Sequence, residues 1–110
     1  QVDLALRLLD DPRRLFLYLN VSATHQPTHY YLEGHSCDNP QTQLEALAYA
    51  DSQLARLWPR LQSRGAYCWV FSDHGTTHGE DGYHGHRLSH PLVWTVPYAE
   101  FLLPAKVVSP

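Results

Sequence analysis

The residues best suited to chemistry lie between positions 71 and 90, in the stretch FSDHGTTHGEDGYHGHRLSH. This stretch, called here the His-rich loop, combines imidazoles and carboxylates at His74, His78, His84, His86, His90, Asp73, Glu80 and Asp81. Imidazole and carboxylate groups are the ligands that zinc and manganese take in proteins. Imidazoles also titrate near neutral pH. The composition therefore predicts a loop of a metal-dependent hydrolase.

Asp73 and His74 are the first candidates for metal ligands, because they come directly after an apolar run at 66–71. Gly75 follows them and allows the chain to turn sharply. An adjacent pair can then reach one cation from two directions. A second interpretation stays open, in which Asp73 caps the next turn and His74 is only exposed, since short motifs often arise by chance.

Three further histidines of the loop are candidates for an additional metal ligand or for a hydrogen-bond donor to an anionic substrate. They are His84, His86 and His90. A separate loop over 22–35 also carries histidines. In that loop His25 lies closest to the preceding apolar run and is the better candidate for a substrate contact.

Hydrophobic periodicity predicts the elements that position these side chains. They are a helix over 2–9, a strand over 15–21, a helix over 40–63, a strand over 66–71 and a strand over 92–96. Asp38 or Asn39 before Pro40 is typical of a helix start, and Gly65 of a helix end. Pro59 is expected to kink the long helix.

A strand, a crossover helix and a second strand form a βαβ unit with parallel strands. The predicted fold class is therefore α/β, with a mostly parallel sheet and flanking helices. Ligands of such sheets bind at the carboxyl ends of the strands. We therefore expect the loop at 22–35 and the His-rich loop to meet at one edge of the sheet.

Length and composition limit the remaining possibilities. At 110 residues the chain makes at most one domain, and 44% hydrophobic with 17% charged residues is typical of a globular protein. The net charge of -3 and the scattered lysines and arginines argue against nucleic acid as a partner. No run approaches the roughly 20 apolar residues of a membrane span.

Cys37 and Cys68 have no metal-ligand spacing, and Cys68 is predicted to be a buried thiol. No signal peptide is recognisable, which favours a cytoplasmic location. The chain starts at Gln1 and contains no methionine, so we expect it to be part of a longer protein. A truncated sheet has an open edge, and the fragment is expected to self-associate.

The order of the motifs resembles the C-terminal half of the sulfatase-like branch of the alkaline phosphatase superfamily. The resemblance rests on FSDHG at 71–75, GEDG at 79–82, HG at 84–85 and VP at 96–97. The helix segment at 49–54 and the loop at 22–27 are similar to the corresponding family elements, so that most of 15–98 is covered.

The resemblance implies hydrolysis or transfer of phosphate, phosphonate or sulfate esters, with an anionic ester as the partner. It implies one or two divalent metal ions, zinc or manganese first and calcium if more carboxylates contribute. Asp73 and His74 would ligate the metal, and His25 would contact the transferred group. His84 would be a catalytic histidine near the anion or a second metal, with His86 and His90 as rivals.

One departure from the family limits the prediction. The family's other metal ligand, an early aspartate, and its nucleophile belong to an N-terminal half that this sequence does not contain. We therefore expect the chain to be inactive by itself. Two alternatives remain, a non-catalytic His-rich module that binds divalent metals and a structural α/β fragment whose histidines are incidental.

Overall fold

In the computed structural model, which describes residues 1–105, the chain divides after Gly65 into two units. The first unit comprises residues 1–65 with 104–105, and the second unit comprises Ala66–Leu103. The helices and strands are α1 (Val2–Leu8), α2 (Pro40–Leu54), α3 (Trp58–Arg64), β1 (Ala66–Phe71), β2 (Thr77–His78), β3 (His84–Gly85), α4 (Pro91–Trp94) and β4 (Tyr98–Leu103).

The predicted start of the long helix is confirmed at Asn39, which forms a capping box with Thr42. The Asn39 side chain accepts hydrogen bonds from the backbone amides of Gln41 and Thr42, at 2.9 and 3.0 Å. The Thr42 hydroxyl in turn accepts from the Asn39 amide at 2.9 Å. These bonds satisfy amides that the first helical turn cannot pair internally.

The predicted kink and end of that helix are also confirmed. A 3-10 turn at Ala55–Leu57 separates α2 from α3. Pro59 accounts for the break, because its ring meets the carbonyl four residues earlier and it has no amide hydrogen to donate. Gly65 ends α3 with φ +73°, a backbone conformation that residues with a Cβ rarely adopt.

The core of the first unit forms between α1 and the segment that joins α2 to α3. Its buried residues are Ala5, Leu9 and Leu57, and the partly buried side chains around them are Val2, Leu6, Leu17, Leu19, Leu54 and Leu61. The Arg64 guanidinium donates to the carbonyl oxygens of Leu9 and Asp11, and to that of Arg13 at 2.6 Å. The end of α3 is thereby fastened to the turn that follows α1.

The predicted strand over 15–21 is wrong, because no strand or helix is present in this segment. Its side chains nevertheless alternate. Leu17 and Leu19 pack on the core of the first unit, whereas Phe16 and Tyr18 are 83% and 69% exposed. A short apolar run can pack without joining a sheet, which its periodicity alone does not reveal.

The predicted parallel sheet is wrong as well, and with it the alkaline-phosphatase-like α/β fold. Within the described residues, β1 pairs with β4 and β2 pairs with β3, and both pairings are antiparallel. The β1–β4 register runs from Ala66 opposite Leu103 to Phe71 opposite Tyr98.

The predicted strand over 92–96 is wrong, because Pro91–Trp94 form the helix α4 and residues 95–96 belong to no helix or strand. Pro91 occupies the first helical position of α4, where its missing amide hydrogen costs nothing, and His90 caps the helix. The strand that completes the sheet, β4, begins only after Pro97. Among residues 1–105, no helix is both long and apolar enough to cross a membrane.

Both cysteines are free thiols. Cys37 is exposed and Cys68, on β1, is partly buried. Burial raises the pKa of the Cys68 thiol above its usual value. The partial burial of Cys68 agrees with a thiol held in its protonated form rather than a reactive thiolate.

Candidate functional site

Asp73 and His74 lie in the turn directly after β1, and short hydrogen bonds fix the backbone of this turn. The Ser72 amide donates to the Pro97 carbonyl at 3.3 Å, and the Ser72 hydroxyl donates to the His74 carbonyl at 2.6 Å. The His74 amide donates to Asp73 Oδ1 at 3.1 Å. The two candidate ligands are therefore held on an ordered turn and not on a loose loop.

The His74 imidazole has one nitrogen hydrogen-bonded to the Gly75 carbonyl and the other near the Asp73 carboxylate. Its Nδ1 lies 2.9 Å from the Gly75 carbonyl oxygen. A carbonyl only accepts, so Nδ1 carries the hydrogen, and in the neutral ring the lone pair is on Nε2. Nε2 lies 3.8 Å from Asp73 Oδ2. The pair presents two electron-pair donors to each other without a hydrogen bond between them.

A divalent cation fits this pair as a shared ligand. Zinc binds imidazole nitrogen and carboxylate oxygen at bond lengths that sum to about 4.2 Å, so one ion can touch both atoms across the gap. The side chains of His74 and Asp73 are 35% and 85% exposed, which leaves the gap open to solvent. Among residues 1–105, however, no three His, Cys, Asp or Glu side chains are grouped so as to hold a metal. The described residues therefore fit a two-point contact and not a closed metal site.

Gly75 determines how the turn meets α4. Its amide donates to the Val93 carbonyl at 2.9 Å. A Cβ built on Gly75 would lie 1.9 Å from the Leu92 carbonyl oxygen. No residue with a side chain fits at that distance, so glycine is required for this close approach. The position of His74 thus depends on the packing of its neighbour against α4.

His90 caps the start of α4 and connects it to Asp81 of the His-rich loop. Its Nδ1 accepts the Leu92 amide at 3.1 Å, so its Nε2 carries the hydrogen and donates to Asp81 Oδ2 at 3.1 Å. The residue is 7% exposed. Both ring nitrogens of this sequence-predicted candidate are therefore engaged within the chain, and its evident role is to cap α4.

The other two histidine candidates of the loop, His84 and His86, have different neighbours. The His86 ring stacks on His74, with centroids 4.2 Å apart and planes inclined by 17°. His84 is exposed on β3, in register with His78 on β2. The structure thus brings His86 next to a candidate metal ligand.

Glu80 stabilises the loop through its charge. Its Oε2 accepts the His78 amide at 2.6 Å. That backbone hydrogen bond holds the pKa of the Glu80 carboxyl below its usual value. The carboxylate accordingly stays ionised where it supports the tight β2–β3 hairpin.

His25 belongs to the first unit and follows the 3-10 turn Ser22–Thr24. It is exposed, and its Nδ1 lies 2.7 Å from the Gln26 carbonyl oxygen. The expectation that its loop meets the His-rich loop at one edge of a parallel sheet loses its basis, because the described residues form no such sheet. Its role as a substrate contact stays a prediction.

Sequence reasoning also missed the carboxylate–imidazole pair of His29 with Asp38. Asp38 Oδ1 accepts from the Thr28 amide at 2.7 Å, the His29 amide at 2.8 Å and His29 Nδ1 at 2.9 Å. Burial raises the pKa of the Asp38 carboxyl, but these hydrogen bonds outweigh burial and the net pKa is lowered. The two residues are nine positions apart in a loop, and no spacing rule identifies such a pair.

No protein-family model, no curated protein and no solved structure matches this chain. The resemblance to the sulfatase-like branch therefore rests on the quoted motifs alone.

Proposed function

We propose that this chain supplies Asp73 and His74 to the divalent-metal site of a hydrolase or transferase that acts on phosphate, phosphonate or sulfate esters. The observation that carries the proposal is the open gap of 3.8 Å between His74 Nε2 and Asp73 Oδ2, on an ordered turn. The resemblance of residues 71–85 to the sulfatase-like branch supports the class of substrate. The proposal does not require a parallel sheet.

The residues around the pair have defined parts in this proposal. The Gly75 carbonyl accepts from Nδ1 and so fixes the tautomer and the orientation of the His74 ring, as hydrogen-bonded partners of metal-ligating histidines do. His84 is the proposed donor to the anionic oxygens of the ester. A divalent metal in such a site polarises the ester and activates a nucleophile. The further metal ligands and the nucleophile are proposed to come from polypeptide outside this sequence.

Calorimetric titration of the chain with zinc and with manganese tests the metal site. We expect about one equivalent of zinc to bind, and Asp73→Ala and His74→Ala each to abolish binding, because each change removes one of only two contacts. His35→Ala, which removes an exposed histidine of the first unit, is the matched control and should bind as the unchanged chain does.

Two results would contradict this assignment. Absence of binding would show that the pair does not hold a metal in this chain. Binding that survives both substitutions would place the metal on other histidines and favour the second candidate, a non-catalytic His-rich metal-binding module. Vanadate and phosphate separate the two functions further, since a loaded ester-hydrolase site should bind these anions and a metal-binding module should be indifferent to them.

We also propose that the chain self-associates. Large apolar side chains are exposed throughout the described residues, among them Phe16, Tyr30, Trp94 and Leu102. Exposed apolar surface of this kind favours association. Sedimentation should show an average mass that rises with concentration, and a monomer at all concentrations would contradict the proposal.

A further inference from the structure

One face of the β1–β4 sheet carries four aromatic side chains around a single carboxylate. The register sets Trp69 opposite Glu100 and Phe71 opposite Tyr98. Tyr67 lies two residues before Trp69, so it shares their face of the sheet. We call these five residues the aromatic–carboxylate face. All of them are exposed, and Trp69 and Tyr98 are 51% and 61% exposed.

Neutral donors hold the carboxylate of this face in place. Glu100 Oε2 accepts from the Tyr98 hydroxyl at 2.6 Å and from Trp69 Nε1 at 3.1 Å. Hydrogen bonds from Tyr98, Trp69 and Tyr67 hold the pKa of the Glu100 carboxyl below its usual value. Because these donors are uncharged, the face keeps a full negative charge at neutral pH.

The aromatic rings around Glu100 offer surface that suits a cation. Tyr67 and Trp69 meet edge to face, with centroids 5.0 Å apart and planes at 76°. Phe71 and Tyr98 are 6.5 Å apart at 37°. The faces of aromatic rings are electron-rich and attract cations within about 6 Å of the ring centre. The negative charge of Glu100 and the electron-rich faces of the rings around it therefore both favour a cation as the ligand.

We propose that the aromatic–carboxylate face binds a quaternary ammonium group of the choline type. The hydrogen bonds from Tyr98 and Trp69 engage Glu100 Oε2, so a primary ammonium with three N–H donors would have to compete for this oxygen. A quaternary ammonium has a positive charge but no donor to satisfy, and its methyl groups can lie against the rings. All five residues belong to the second unit, and the proposal is independent of the Asp73–His74 site.

A choline titration followed by NMR at the indole N–H of Trp69 tests this proposal. We expect a saturable shift with choline. We expect 3,3-dimethyl-1-butanol, which has the same shape without the charge, and ethanolamine, which has a primary ammonium, to bind roughly tenfold more weakly. The indoles of Trp58 and Trp94 lie outside this face and should not shift.

The Glu100→Gln variant separates charge from shape, because the amide oxygen can still accept from Trp69 and Tyr98. We expect roughly a tenfold loss of choline affinity in this variant. Glu33→Gln makes the same change in charge at an exposed position of the first unit and should bind choline as the unchanged chain does.

Two results would overturn the proposal. One is equal binding of choline and its neutral isostere to the unchanged chain, a comparison that needs no variant to fold. The other is unchanged choline affinity in Glu100→Gln. Either would show that the face is merely apolar.

Discussion

Two carboxylate–imidazole pairs of this chain are built from the same residue types and differ in what each leaves for a ligand. In the His29–Asp38 pair the ring nitrogen lies 2.9 Å from the carboxylate, and the side chains are 22% and 15% exposed. In the Asp73–His74 pair the nearest atoms are 3.8 Å apart, and the carboxylate is 85% exposed. The first pair is closed by hydrogen bonds, whereas the second is open.

The difference shows that residue type alone does not define a metal site. Asp38 Oδ1 already accepts from two amides and from His29 Nδ1, so a cation shared by this oxygen and this nitrogen would have to displace the hydrogen bond between them. Within the described residues, Asp73 Oδ1 accepts the amide of its neighbour, and Oδ2 lies 3.8 Å from His74 Nε2. The closed pair stabilises its loop, and the open pair is the one suited to bind a cation.

The largest effect is expected from Gly75→Ala, which tests what positions the open pair. The added methyl group would overlap the Leu92 carbonyl oxygen, so α4 or the turn must move. We expect a loss of unfolding free energy on the order of 3 kcal/mol and loss of zinc binding. Thermal unfolding and calorimetry measure the two effects.

Gly82→Ala is the matched control for that substitution. It adds the same methyl group where nothing lies within 4 Å, so its cost is limited to the positive φ of +80°, about 1 kcal/mol. Equal destabilisation by the two changes would show that the contact between Gly75 and α4 does not position the site.

A smaller effect is expected from Asp38→Ala, which opens the closed pair. Three donors lose their partner, and we expect unfolding free energy to fall by about 2 kcal/mol. Asp73→Ala removes a carboxylate from a solvent-exposed position and should leave stability nearly unchanged. Denaturant titrations of both variants make the comparison, and a greater loss in Asp73→Ala would reverse our assignment of the two pairs.

The smallest effect is a pH dependence of stability that the closed pair should confer and the open pair should not. The pKa of Asp38 is lowered in the folded chain, so its ionised form is favoured by folding. Its contribution is complete above the unfolded value near 3.8 and is lost as the pH falls below that value through the folded pKa. In the Asp38→Asn variant the free energy of unfolding should change less with pH in this acid range. An unchanged pH dependence would contradict the assignment of Asp38 to a closed pair.

Local signals in the sequence were sufficient for α1, α2, α3 and β1. The cap before Pro40, the kink at Pro59 and the stop at Gly65 depend on backbone groups within a few residues, so they can be predicted without the rest of the chain. The adjacency of Asp73 and His74 was readable for the same reason.

Pairings between distant residues could not be predicted. Two segments have the composition of a strand but do not form one. Residues 15–21 pack without a strand partner, and residues 92–94 are helical because His90 and Pro91 start α4. Likewise, the hydrogen bond between His29 and Asp38 forms because the loop between them folds back, which no local pattern predicts. The error about the parallel sheet came from these non-local choices. The expectation that the two loops meet at one edge of that sheet lost its basis with it.

Site-resolved NMR of the imidazole nitrogens during zinc addition tests the central claim most directly. We predict that His74 Nε2 shifts with about one equivalent of zinc while the nitrogens of His29 stay unchanged, and that Asp73→Asn removes the His74 shift. A shift of His29 at the same zinc concentration, or a His74 shift that persists in Asp73→Asn, would contradict the distinction between an open and a closed pair.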